Sequence, residues 1–292
     1  MGERWVGEPD RTGGEVLPDG RVLGWAEWGA PDGVPVLFSP GAGTSRRLGF
    51  GADAAGRLGV RIIAVDRPGL GASTPAPGRG FADFAADIAR LAERRGLGRP
   101  AMVGNSQGAP FALACAAAGA VSALALVSAA DEVAHPAVRA RLPEDFGRLV
   151  DTAVADREEA EAHLAGFTAE AMRDMVMAGS PDSDLAVYAD PGFAAAYRAA
   201  LEEGFAQGAA AGYARDTVLA MGHWAIDLDA VAVPVDLWYG EEDRSHSPDL
   251  GATLTGRIPG AVRHLVPGIG GAVLWTHAEP VLRRLLDRLR AG

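Results

Sequence analysis

Gly104-Asn105-Ser106-Gln107-Gly108 sets a serine between two glycines, with the apolar run Ala101–Val103 before it and the Ala-rich run Ala109–Ala118 after it. A G-x-S-x-G run that closes a strand and opens a helix holds its serine on a sharp, strained turn, hydroxyl clear of the sheet. The glycines have a mechanical task, since neighbouring backbone passes close enough at both positions to exclude a Cβ. The first helical N–H groups are left unpaired and face whatever the serine attacks. Nucleophilic acyl transfer is the chemistry such a turn serves. A second stretch, Ser39-Pro40-Gly41-Ala42-Gly43-Thr44-Ser45, follows the short buried run Val34–Phe38. Glycine-rich loops at the C-terminal ends of strands are where open α/β sheets place ligands, and the backbone N–H groups of this loop are candidate anion donors.

The elements that must position these loops alternate in type. Residues 14–29 read as a hairpin turning at Leu17-Pro18-Asp19-Gly20, placed at the antiparallel edge of a mostly parallel sheet. Buried-strand runs follow at Val34–Phe38, Val60–Asp66, Ala101–Val103 and Val121–Ser128, with a helix from Phe81 to Arg95 spaced by Phe84, Ile88 and Leu91. That alternation means parallel βαβ units with right-handed crossovers. From Asp131 to His223 the pattern changes to Ala- and acid-rich helical pieces with no strand, broken at Gly179-Ser180-Pro181-Asp182 and Asp190-Pro191-Gly192. Strands return at Val233–Gly240 and Ala261–Val266, and a last helix starts near His277. The expected organisation is an α/β core of residues 1–130 and 224–292, with 131–223 inserted as a helical cap.

Composition narrows the function. The net charge of -11 argues against nucleic acid and anionic membrane as partners. All 27 basic residues are arginine, which excludes Schiff-base and pyridoxal-phosphate chemistry and a lysine-dependent phosphate loop. The single cysteine, Cys115, reads as a small core residue. Met1–Glu8 carries no apolar signal core, Val6 breaks the myristoylation pattern, and no apolar run reaches membrane-spanning length. The expectation is a cytoplasmic protein with no metal and no organic cofactor; oligomeric state is left open.

Taken in order, these pieces resemble the α/β-hydrolase superfamily over nearly the whole chain. The marks are Pro40-Gly41-Ala42-Gly43, Asp66-Arg67-Pro68-Gly69-Leu70-Gly71-Ala72-Ser73, the serine turn, and Gly240-Glu241-Glu242-Asp243 after a late strand. The resemblance implies Ser106 as nucleophile, Asp243 as triad acid, 131–223 as the cap, and an oxyanion hole from the N–H groups of Ala42 and Gln107. Gly41, beside Ala42, and Asn105, beside Ser106, are expected to contact substrate. A serine rather than an aspartate at the turn points to acyl transfer by an esterase, lactonase, thioesterase, amidase or carbon–carbon bond hydrolase, and the expected substrate is an ester, thioester or lactone of a small, largely apolar acyl group.

The resemblance breaks at the base. Members of the superfamily usually place a Gly-His motif after the last strand, whereas this chain reads Pro267-Gly268-Ile269-Gly270-Gly271-Ala272, with Gly271 in the histidine position. Serine without a base is a weak nucleophile. Six histidines remain: His135, His163, His223, His246, His264 and His277. His246, three residues after Asp243 on the same loop, is the candidate base, and His277 is the second choice. The alternative is a non-hydrolytic protein of the same fold that binds a ligand or assists a lyase, cyclase or isomerase step.

Overall fold

The computed structural model describes residues 5–291; Met1–Arg4, part of the stretch read above for targeting signals, lie outside the described residues. Eight strands form one sheet: β1 (Arg11–Val16), β2 (Val22–Trp28), β3 (Val34–Ser39), β4 (Val60–Val65), β5 (Ala101–Asn105), β6 (Leu124–Val127), β7 (Val235–Gly240) and β8 (Val262–Val266). Their spatial order is β1-β2-β4-β3-β5-β6-β7-β8. β2 runs antiparallel to both β1 and β4, and every later pairing is parallel. The hairpin thus lies at the sheet edge, as the alternation Arg21–Trp28 predicts.

The central strands are apolar at nearly every position because both faces are covered. Val36, Phe38, Ile62, Ala64, Val103 and Val127 pack on one face, while Leu37, Ile63, Val65, Met102, Leu124 and Leu126 pack on the other. This period-2 split is the pleat of the sheet seen through its side chains. The helices of the core are α1 (Ala52–Leu58), α2 (Phe81–Arg94) and α3 (Gly108–Ala117). Cys115 lies buried in α3, where burial pushes its thiol pKa up.

Between β6 and β7 the chain forms helices: α4 (Pro136–Arg139), α5 (Glu144–Ala155), α6 (Arg157–Leu164), α7 (Ala169–Gly179), α8 (Asp182–Tyr188), α9 (Pro191–Gly204) and α10 (Tyr213–Met221). The breaks fall where proline and aspartate predict them: Pro181 precedes α8, and Asp190 caps α9 by accepting from the N–H groups of Gly192 and Phe193. After β7 come α11 (Ala252–Arg257), α12 (Val273–Thr276) and α13 (Ala278–Ala291). Among the described residues no helix is long and apolar enough to cross a membrane.

The parallel register decides where function can sit. Ser39 pairs with Gly104, Asn105 with Val127, Val127 with Trp238, and Gly240 with Val266. The C-terminal ends of five strands therefore stop level, and the loops after β3, β5, β6, β7 and β8 collect along one edge.

Candidate active site

Ser106 sits between β5 and α3 with φ 50°, in the left-handed region that a non-glycine residue rarely enters. Its surroundings hold it there: its N–H donates to the Val127 carbonyl at 3.1 Å, and its own carbonyl accepts from Ala109 at 3.0 Å and Ala130 at 3.1 Å. The flanking glycines are required sterically. A Cβ on Gly104 would stand 2.8 Å from the Ala112 Cβ, and one on Gly108 would stand 2.1 Å from the Ser39 carbonyl oxygen. The loop after β3 closes over the serine, since a Cβ on Gly41 would lie 3.8 Å from the Ser106 hydroxyl. Among the described residues, neither the Ala42 nor the Gln107 N–H donates to a protein acceptor. Asn105 is buried, and its amide donates to the Val127 carbonyl at 3.0 Å, so that end of its side chain is spent on the sheet.

Asp243 and His246 meet on the loop after β7. The Asp243 carboxylate is buried, and its Oδ1 accepts from the N–H groups of Ser245 at 3.0 Å and His246 at 3.3 Å. His246 Nδ1 lies 3.0 and 2.9 Å from the two carboxylate oxygens, and because a carboxylate only accepts, Nδ1 carries the proton. The second ring nitrogen, Nε2, has no hydrogen-bond partner among the described residues. Burial pulls the imidazole pKa down, but the carboxylates of Asp243 and Asp184 outweigh it and the net shift is upward. Burial likewise raises Asp243, and the imidazole and backbone donors more than reverse that, leaving its pKa below the ordinary value.

The His246 ring packs directly over Gly271. A Cβ built on Gly271 would stand 2.7 Å from His246 Cε1 and 3.2 Å from its Nδ1. The ring therefore occupies the ground from which a side chain at 271 would have to grow. The segment after β6 ties the partners together. Ala130 donates to the Ser106 carbonyl, the next residue, Asp131, donates to the His246 carbonyl at 3.2 Å, and Ser128 Oγ donates to the Gly271 carbonyl at 3.0 Å. Three of the other histidines lie in surroundings of their own. His264 stacks on Trp238 and bonds Asp236 at 2.7 Å, His223 is largely exposed, and His277 pairs with its neighbour Thr276 at 2.9 Å.

Two site features have no signature in the local sequence. Asp184, buried on α8, accepts from three successive N–H groups, Gly270 at 3.0 Å, Gly271 at 2.6 Å and Ala272 at 3.1 Å, and so fixes the loop on which His246 packs. Burial outweighs those three bonds and raises its pKa. Arg67, wholly buried, joins the loop after β3 to α10 through Asp216. In both cases the partners are far apart in the chain, and only the residue types hint at a role: a carboxylate amid small residues, an arginine in an apolar loop.

The family profile described as alpha/beta hydrolase fold matches residues 34–278, and the chain belongs to that family. Over 119 residues it is 34% identical to a proline iminopeptidase of Neisseria meningitidis, a match that covers 38% of this chain and only 37% of that protein. A putative non-heme chloroperoxidase of Synechocystis sp. is 28% identical over 247 residues, covering 80% of this chain and 82% of the relative. Among solved structures, an enol-lactonase from Burkholderia xenovorans has a TM-score of 0.65 at 20% identity, covering 95% of this chain and 100% of that one. An esterase from Rhodococcus sp. gives 0.63 at 20% identity, covering 96% and 99%. At such identities these two structures speak for the fold.

Proposed function

We propose that the protein is a hydrolytic enzyme that cleaves an ester, thioester or lactone of a small, largely apolar acyl substrate through a Ser106–His246–Asp243 triad. The observation that carries the reading is the His246 ring, held at Nδ1 by Asp243, with its Cε1 in the space above Gly271. Asp243 fixes the tautomer, so the lone pair of Nε2 is available to take the Ser106 hydroxyl proton. Ser106 Oγ then bonds to the carbonyl carbon while the carbonyl oxygen takes the negative charge between the N–H groups of Ala42 and Gln107. The imidazolium returns the proton to the leaving group as its bond to carbon breaks, leaving an acyl-serine. Water repeats the sequence, giving its proton to His246 and releasing the acid.

An apolar acyl group suits the aromatic rings that the β6–β7 segment brings to the loop after β3. Phe205 rests on Gly43, and Phe167 stacks on Tyr213 with ring centroids 5.1 Å apart. In this reading residues 131–223 act as a cap. The hydrolase name among the partial relatives, a proline iminopeptidase, supports hydrolysis as the class.

The test is turnover of short- and medium-chain p-nitrophenyl esters by the wild type beside Ser106→Ala and His246→Ala. Turnover lost in both variants supports the triad. Turnover that survives His246→Ala refutes the base, and absence of serine-dependent turnover on any ester moves the assignment to ligand binding.

A further inference from the structure

We propose that Arg67 is a positioning residue of the oxyanion hole, acting through the Gly41–Ala42 peptide, and that α10 sets its geometry through Asp216 and Thr217. The proposal rests on the reading of Ala42 and Gln107 as the oxyanion donors. Arg67 spreads its guanidinium over three acceptors: Nη1 donates to the Pro40 carbonyl at 2.5 Å, Nη2 to the Gly41 carbonyl at 3.0 Å, and Nε to Asp216 Oδ2 at 2.6 Å. The Gly41 carbonyl and the Ala42 N–H belong to one peptide unit. A cation donating to the oxygen draws electron density across the amide and makes its N–H a stronger donor; such cooperativity is worth roughly 10–30% per bond. Thr44 Oγ1 donates to the same carbonyl at 3.0 Å, so that oxygen receives one charged and one neutral bond.

The second donor is tied to the same helical turn. The Gln107 side chain lies 3.5 Å from Arg67 Nη2 through its Oε1 and donates through Nε2 to Thr217 Oγ1 at 3.0 Å. Asp216 and Thr217 are adjacent on α10, so one step of this helix holds the loop of Ala42 and the side chain of Gln107. Its helix carries no catalytic group, yet it registers both donors.

The charge count favours a role beyond packing. Asp216, with no exposed surface, is shared by two buried guanidiniums, Arg67 and Arg79. The nearby Arg215 is already paired with Glu161 at 2.5 Å. One carboxylate against two buried cations is a poor arrangement for stability alone, because each desolvated charge wants its own partner. Beside a site that develops negative charge, the surplus cation stabilises the transition state. The face of Phe111, 5.0 Å from the Arg67 guanidinium carbon, offsets part of the cost.

The experiment uses the full-length protein with Arg67→Met, Asp216→Asn and Thr44→Val, measuring kcat and KM for a p-nitrophenyl ester and the Ki of a trifluoromethyl ketone that mimics the tetrahedral adduct. Loss of a whole oxyanion donor costs about 10²–10³ in kcat, and weakening one is expected to cost roughly tenfold. Arg67→Met should therefore lower kcat roughly tenfold with KM little changed, and weaken the trifluoromethyl ketone by the same factor. Asp216→Asn should act in the same direction, and Thr44→Val less than Arg67→Met. A kcat within twofold of wild type in folded Arg67→Met or Asp216→Asn overturns the proposal, as does a loss confined to KM or an unchanged Ki. Should Arg67→Met not fold by circular dichroism, Asp216→Asn, which keeps the side-chain shape, decides the matter. Ser106→Ala is run in parallel: turnover retained there refutes the serine mechanism itself, a result separate from the oxyanion readout.

Discussion

Gly271→Ala is the smallest change that tests how the site is built. Its backbone φ lies outside the left-handed region, so alanine meets no conformational objection and any effect comes from the added methyl. That methyl would stand 2.7 Å from His246 Cε1, whereas ordinary contact begins near 3.4 Å, so the ring must retreat by about 0.7 Å. It cannot retreat freely, because Nδ1 is held by both oxygens of Asp243 and the backbone carbonyl is held by Asp131. Misplacing a catalytic group by about 1 Å costs on the order of 10²-fold, so a shift of this size should lower kcat/KM by roughly 10- to 50-fold, or about 1.4–2.3 kcal/mol of transition-state stabilisation. The assay is ester hydrolysis with a thermal melt alongside, to separate a displaced base from an unfolded protein. A variant that melts normally and keeps kcat/KM within twofold refutes the reasoning. The reciprocal variant, His246→Ala with Gly271→His, should recover at least tenfold over His246→Ala, because it returns an imidazole to the vacated space.

The other predictions concern the same loops. If His246 is the base of the proposed triad, activity needs it neutral, and because its pKa lies above the ordinary 6.5 the acid limb of kcat/KM should fall above that value. Asp243→Asn should move the limb downward while cutting the rate, as a pH–rate profile would show. Folding raises the His246 pKa, so the pair's contribution to stability is complete below about pH 6.5 and fades as pH climbs through the folded value. Asp243 is held below its ordinary 3.8, and its share fades as pH falls through the still lower folded value. The Tm difference between wild type and His246→Ala should accordingly be largest between roughly pH 4 and 6.5 and shrink by pH 9. Asp184→Asn keeps an acceptor for Gly270 and Ala272 but turns an amide toward the Gly271 N–H, and should cost about 1–3 kcal/mol in a denaturant titration. His277→Ala should leave kcat/KM within twofold of wild type.

What the sequence makes legible follows from locality. The parallel sheet, its antiparallel edge and the helical stretch before β7 are written in short-range periodicity, and the serine turn in five consecutive residues. Asp243 and His246 are legible for the same reason: they are three residues apart, and one loop brings their side chains together. Asn105 shows the limit, because nothing in Gly-Asn-Ser says that its amide turns back onto Val127. The Arg67–Asp216 pair spans 149 positions and the Asp184 contacts span 86 to 88. Such pairings depend on where the β6–β7 helices land on the sheet edge, which no local pattern encodes.

The base position itself is less constrained than the fold makes it look. A general base is defined by where its Nε2 lone pair lies and by what holds Nδ1, and neither condition fixes which Cα carries the ring. In the proposed triad acid and base share one loop, and Asp243 Oδ1 accepts from the backbone N–H of His246 as well as from its ring. The pair is thus oriented within four residues. An arrangement with the histidine after β8 must register two loops against each other to reach the same geometry. With the ring on the same loop as Asp243, as the proposed triad has it, the β8 loop keeps a single duty, to stay out of the way. Gly271 meets it by carrying no side chain, and Asp184 meets it by clamping three successive N–H groups. On the proposed triad, the glycine at 271 is the steric counterpart of the histidine at 246, and the two residues should be exchanged together or not at all.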